Sequence, residues 1–173
     1  MAITLHRNDL PAELDLGPEI AVDCETMGLK LERDRLCLIQ LSAGDGDAHL
    51  VQFTDGDYDA PNLKALLADE ARTKLFHFAR FDLAAISLYL DTVCYPVFCT
   101  KIASKLVRTY TDRHGLRDIC KELLDVEISK QQQSSDWGAE TLSEEQLAYA
   151  ASDVLHLHAL RDKLQAMLER EGR

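Results

Sequence analysis

Nowhere in the sequence do about 20 apolar residues run together, so no segment reads as a membrane-spanning helix. Basic residues are scarce as well: 19 Lys and Arg stand against 30 Asp and Glu, a formal net charge of −11. That balance excludes a protein that grips long nucleic acid along a basic track. It leaves open a small anionic substrate held through metal ions. The five cysteines, Cys24, Cys37, Cys94, Cys99 and Cys120, are odd in number and contain no CxxC pair. Neither a disulfide framework nor a zinc site is indicated, and the thiols read as small buried hydrophobes in a reducing compartment. No Pro/Gly/Ser-rich linker, internal repeat or low-complexity stretch divides the chain, so residues 1–173 are expected to form one domain. The opening residues 1–9 carry no signal-like apolar run, from which a cytoplasmic location is expected. What is present is a 46% hydrophobic share over 173 residues, enough for a core and too much for a disordered chain.

Residues 19–24 read as a strand that is apolar up to an acidic end. Residues 35–42 are apolar on both faces, as a central strand would be, and residues 49–53 form a third strand. The turn chemistry of residues 43–48 between them predicts a hairpin. A short strand follows at 74–78. Helices are expected from Asn62 to about Glu70, with Pro61 suited to the first turn, from Asp82 to Leu90, from Thr100 to about Val107 and from Leu116 to Leu124. Residues 131–137 read as a polar loop, and Ser143-Glu-Glu-Gln146 is a capping box. It opens one long helix with apolar residues at 147, 150, 154, 157, 160, 164 and 167. Strands first, then strands and helices mixed, give an α/β fold with a mixed central sheet.

Three acidic groups carry the chemistry. Asp23 and Glu25 sit two apart at a strand end and project to the same side. Carboxylates that close repel unless a cation lies between them, and hard oxygen ligands suit Mg²⁺ or Mn²⁺. The plainer reading is an exposed acidic turn. Asp82 opens a helix directly after a strand, where an aspartate also serves as an N-cap. Tyr149 and Asp153 lie one helical turn apart, a spacing that also suits an ordinary surface pair.

Taken in order, Asp23-Cys-Glu-Thr26, Asp82 and Tyr149-Ala-Ala-Ser-Asp153 resemble the three motifs of the DEDDy branch of the DEDD 3′–5′ exonucleases. Ser134-Ser-Asp-Trp137 and the run from Leu142 to Asp153 are similar to ribonuclease D. The runs His77–Leu83, Phe98–Lys105, Thr109–Gly115 and Ile128–Trp137 resemble the short NrnC-type nano-RNases, and the likeness covers nearly the whole chain. Phe78 stands where many family members carry asparagine, as it does in the NrnC type. The helical RNA-binding domains of full-length ribonuclease D are not expected within residues 1–173.

The resemblance implies an RNase H-like fold and two divalent cations, Mg²⁺ or Mn²⁺. Asp23, Glu25, Asp82 and Asp153 would hold them, and Tyr149 would orient the attacking water. It implies that Leu29 wedges against the terminal bases, with ordinary loop packing as the plainer role. His77, Arg80, Lys101, Lys105, Arg108 and Lys130 would be phosphate contacts, each equally readable as a solvated charge. Trp137 would either stack on a base or anchor its loop. The activity implied is exoribonucleolytic, on very short RNA and dinucleotides above all, giving nucleoside 5′-monophosphates. The type also implies a homo-oligomer, an octameric ring. A ribonuclease D-like trimmer of longer RNA or DNA is the alternative. An inactive nucleic-acid-binding module, or a scaffold whose acids only solvate the surface, stands outside the enzyme class.

Overall fold

The computed structural model describes residues 2–54, 56–129 and 131–173. Six strands form one mixed sheet: β1 (Ile3–Arg7), β2 (Glu19–Thr26), β3 (Leu36–Ser42), β4 (Ala48–Gln52), β5 (Thr73–Phe76) and β6 (Val97–Cys99). Their order across the sheet is β1-β4-β3-β2-β5-β6. β2, β3 and β4 are antiparallel neighbours, so the expected hairpin is present. β5 and β6 extend the sheet in parallel from β2, and β1 pairs in parallel with β4 at the other edge. The two edge strands β1 and β6 escape sequence reading, because each is short and pairs with a strand distant in the chain.

All seven residues of β3 are buried, as its apolar character on both faces requires. The helices are α1 (Pro61–Ala68), α2 (Arg80–Leu90), α3 (Thr100–Val107), α4 (Leu116–Leu124), α5 (Glu144–Leu155) and α6 (Leu157–Arg170). Ile20, Val22 and Cys24 of β2 pack with residues of α1 and α2 on one face of the sheet. Ala21 points the other way, into a cluster with Ile119, Ala151, Val154 and Leu157 of α4, α5 and α6. Period two then puts Asp23 and Glu25 on the α5 side.

The single long helix expected after residue 143 is two helices. The chain breaks at His156, which serves as the C-cap of α5 and the N-cap of α6. Ser152 Oγ donates to Tyr149 O at 2.7 Å, a back-bond that bends helices. The apolar period runs through the break because both helices cover the same sheet face. α6 is fastened to β2, with His158 Nε2 3.0 Å from Glu19 O and Arg161 paired with the Glu19 carboxylate. All five cysteines are free, four of them buried and Cys99 half-buried. Among the described residues, no helix is long and apolar enough to cross a membrane.

Candidate active site

β2 delivers Asp23 and Glu25 to its C-terminal end, past its pairing with β5 and next to a register shift between Glu25 and Thr26. α5 lies across them, and its start is set locally. Ser143 Oγ accepts from Gln146 N at 3.2 Å, and Gln146 Oε1 accepts from Ser143 N at 2.9 Å. The fully buried Ala150 and Ala151 let α5 lie close against the sheet, which presents Tyr149 and Asp153 to the β2 carboxylates. One carboxylate oxygen from each of Asp23, Glu25 and Asp153 falls within 4.8 Å of the others. Such an all-oxygen donor set fits a hard divalent cation.

Asp82 reaches the same place from the opposite layer. It is not an N-cap: α2 begins at Arg80 and Ala79 caps it, so Asp82 lies within the first turn, almost wholly buried. Its carboxyl faces Cys24 of β2, whose backbone N–H and thiol partly offset the effect of burial on it. The aspartate thus spans from the helix to the acidic strand.

Without a cation, this arrangement favours protons. Burial, with repulsion from Asp82, Asp153 and Glu25 added, holds the Asp23 carboxyl well above the usual carboxylate range. Burial and repulsion from Asp153 and Asp82 push Glu25 up to about 9. Burial raises both Asp82 and Asp153 to about 7. Burial together with the nearby carboxylates of Asp153, Glu25 and Asp23 keeps the Tyr149 phenol protonated far above the ordinary range.

The carboxylates floor a cleft of about 880 Å³. Leu29, Met27 and Phe78 stand exposed among the lining residues, Leu29 at 85%. The Leu29 loop is strapped from several sides. Thr26 Oγ1 donates to Gly28 O at 2.5 Å, Lys30 N to Asp34 Oδ2 at 3.0 Å, and Tyr89 OH to Leu31 O at 2.5 Å. Asp34 is buried so tightly beneath the loop that a Cβ on Gly28 would sit 2.4 Å from its Oδ2. Phe78 has φ +72°, a left-handed backbone that a bulky side chain adopts at a cost of about 1–3 kcal/mol. Lys101 Nζ sits 3.8 Å from the centre of its ring.

The structure gathers Asp23, Glu25, Asp82, Tyr149, Asp153, Leu29, His77 and Lys101 around one cleft. Burial, then the charge of Lys101, lowers His77 to about 4, so it meets a ligand as a neutral imidazole at pH 7. Arg80 is exposed at the start of α2 and does not line the cleft. Arg108 is no phosphate contact: it is fully buried and spent on Glu122, Ser104 Oγ and Arg113 O. Lys130 lies outside the described residues. Trp137 anchors its loop, 2% exposed among Cys37, Leu38, Leu50, Leu142 and Ala150. Sequence reading did not single out Arg117, which brings a second full positive charge to the lining from the first turn of α4. A basic residue just after Gly115 at a helix start was the available signal.

One buried and three half-buried carboxylates gathered at the C-terminal end of β2, beneath an open cleft, define a cation-dependent hydrolase. The chain belongs to the 3′–5′ exonuclease family, whose model matches residues 6–169. Ribonuclease D of Acidiphilium cryptum (strain JF-5) is 36% identical over 156 residues, 90% of this chain and 39% of that protein. The chain therefore spans about 39% of the length of that curated relative. Brucella melitensis NrnC, solved bound to pGG, is 59% identical with a TM-score of 0.96, covering 100% of this chain and 84% of that one. The same Brucella protein solved with bound Mg²⁺ superposes at a TM-score of 0.95 and 57% identity, covering 100% and 85% of the two chains. The expected RNase H-like exonuclease fold and the likeness to the NrnC type both hold.

Proposed function

We propose that the protein is a 3′–5′ exoribonuclease that hydrolyses very short RNA, dinucleotides by preference, to nucleoside 5′-monophosphates, its 173 residues acting as one catalytic domain. The cleft carries this reading. Its floor holds four carboxylates, its mouth exposes Leu29 and Phe78, and its lining supplies only Lys101 and Arg117 as full positive charges among the described residues. Two such charges match the few phosphates of a dinucleotide and not a long backbone. The likeness to an NrnC solved with pGG supports the same substrate.

Asp23, Glu25 and Asp153 would hold one divalent cation, Mg²⁺ or Mn²⁺, and Asp82 with Asp23 a second. Bound cations acidify water and neutralise charge on the leaving oxygen. Tyr149 contributes as a neutral phenol: one helical turn from Asp153, it orients the water that attacks phosphorus. The attack breaks the bond to the 3′ oxygen of the preceding nucleotide, and the released product keeps the 5′-phosphate. Leu29 and Phe78 grip the bases by apolar contact and stacking, and Lys101 and Arg117 take phosphate charge. Ile102 and Leu106 on α3, with Tyr110 beyond its end, are exposed and give an apolar surface for the homo-oligomer, an octameric ring, that forms part of this reading. A reducing cytoplasm suits the five free thiols.

The test is a length series from dinucleotide to decanucleotide, 5′-labelled, with Mn²⁺ or with EDTA. Cleavage of the dinucleotide at an initial rate well above that of the longer chains, abolished by EDTA, is the expected outcome. Equal rates along the series would make the enzyme a general 3′ trimmer.

Phe78→Asn separates grip from architecture. Asparagine tolerates positive φ, so the variant keeps or gains thermal stability. It loses the stacking face, worth about 1–3 kcal/mol per base, so KM for the dinucleotide rises on the order of tenfold. Steady-state kinetics beside a melting curve checks both halves, and an unchanged KM would remove Phe78 from the substrate site.

A further inference from the structure

Gln40 lies in the middle of β3 and is fully buried, and neither its Nε2 nor its Oε1 has a hydrogen-bond partner among the described residues. An amide in that state lowers stability, and an apolar side chain of the same shape would fit the strand better. Five of the other six β3 residues, Leu36, Cys37, Leu38, Ile39 and Leu41, are apolar and buried, and the sixth, Ser42, donates its hydroxyl to Asp47 O at 2.7 Å. A glutamine in this row calls for a partner.

The ladder indicates which one. Gln40 stands in register with Asp23 of β2 on one side and with Leu50 of β4 on the other. Directly opposed residues of antiparallel strands project to the same face, with Cβ atoms about 4.5–5.5 Å apart. Leu50 offers only carbon, so the polar neighbour in the row is the Asp23 carboxylate. A carboxylate that ligates a cation has further lone pairs, and a buried donor on them fixes its orientation.

We propose that Gln40 is a positioning residue for the cation centre: its Nε2 donates to the Asp23 carboxylate and holds it in the orientation that ligates a divalent cation. This rests on the reading of Asp23 as a cation ligand given above. The amide has no partner among the described residues, and with a divalent cation on Asp23 the carboxylate would take its donor. The stability lost in one state is recovered as affinity in the other.

The experiment measures Mn²⁺ binding calorimetrically, without RNA, to the wild-type protein, Gln40→Met and Asp23→Asn, with a melting curve of each in EDTA. Methionine keeps the volume and removes the amide. Gln40→Met is expected to bind Mn²⁺ about 10- to 100-fold more weakly, the usual cost of losing a residue that orients a ligand. Its melting temperature in EDTA stays level or rises. A merely structural amide would give the reverse, a lower melting temperature with unchanged affinity, and that result overturns the proposal. Should Gln40→Met fail to fold, NMR of the wild-type protein decides: the Gln40 side-chain NH₂ signals shift and exchange more slowly on adding Mg²⁺, and signals that do not move overturn it. Normal Mn²⁺ binding by Asp23→Asn would overturn the reading of Asp23 and this proposal with it. Normal binding by Gln40→Met beside lost binding by Asp23→Asn overturns the proposal alone.

Discussion

Replacing Asp153 with asparagine should lower dinucleotide cleavage about a thousandfold, the scale set by removing one electrostatic stabiliser of about 4 kcal/mol. The expected loss is in kcat more than in KM, because Asp153 faces the carboxylates at the cleft floor and not the apolar mouth. The same change should make the cation-free protein more stable above neutral pH. Burial keeps the Asp153 carboxyl at about 7, so ionising it there works against folding, and a neutral amide removes that cost. A variant that loses activity while its melting temperature in EDTA at about pH 8 rises would show a residue retained for chemistry at the expense of stability. A fall in both would mean that Asp153 is needed for the packing of α5.

The second large effect is a crossing of pH and cation. Glu25 is raised to about 9 and Asp82 and Asp153 to about 7, whereas an unfolded chain releases these protons near the ordinary carboxylate values of 4.5 and 3.8. Between those limits the folded protein binds more protons than the unfolded one, so stability falls as pH rises. The loss begins above about pH 4 and is complete only above about pH 9, where the folded carboxylates have also ionised. A divalent cation competes for the same oxygens, so its affinity should rise over that window. Melting curves at one fixed Mg²⁺ concentration, about a hundredfold above the Kd at pH 8, should gain about 2.7 kcal/mol at that pH, roughly 5–10 °C for a chain of this size. The gain should be large near pH 8 and small near pH 5. An equal gain at both would mean that the ion binds away from these carboxylates.

Much of the centre was legible because it is written in local periods. Asp23 and Glu25 share a strand face, and Tyr149 and Asp153 share a helix turn opened by a capping box, all set by each segment's own backbone. Asp82 was legible only as a motif member. From its neighbours it read as an N-cap, and nothing local shows that the first turn of α2 meets Cys24 of β2. The basic residues were the least legible. Arg108 and Lys101 look alike in the sequence, yet one is buried on Glu122 and the other stands over Phe78 at the cleft. Burial of a long cation depends on what packs over it, and here that is the loop returning through Arg113 and His114.

By itself the sequence determined the central strands, the hairpin of β3 and β4, the start of α5 and the pairing of acids on two elements. In each case a residue's face follows from its position within one run of backbone. Only the tertiary structure decided that two layers bring four carboxylates to the C-terminal end of β2, that the last long helix breaks at His156, and that Phe78 adopts a positive φ. It also decided that Gln40 stands unpartnered opposite Asp23. These depend on strand order and register, which are set by contacts between residues far apart in the chain, and no short window of sequence contains both partners.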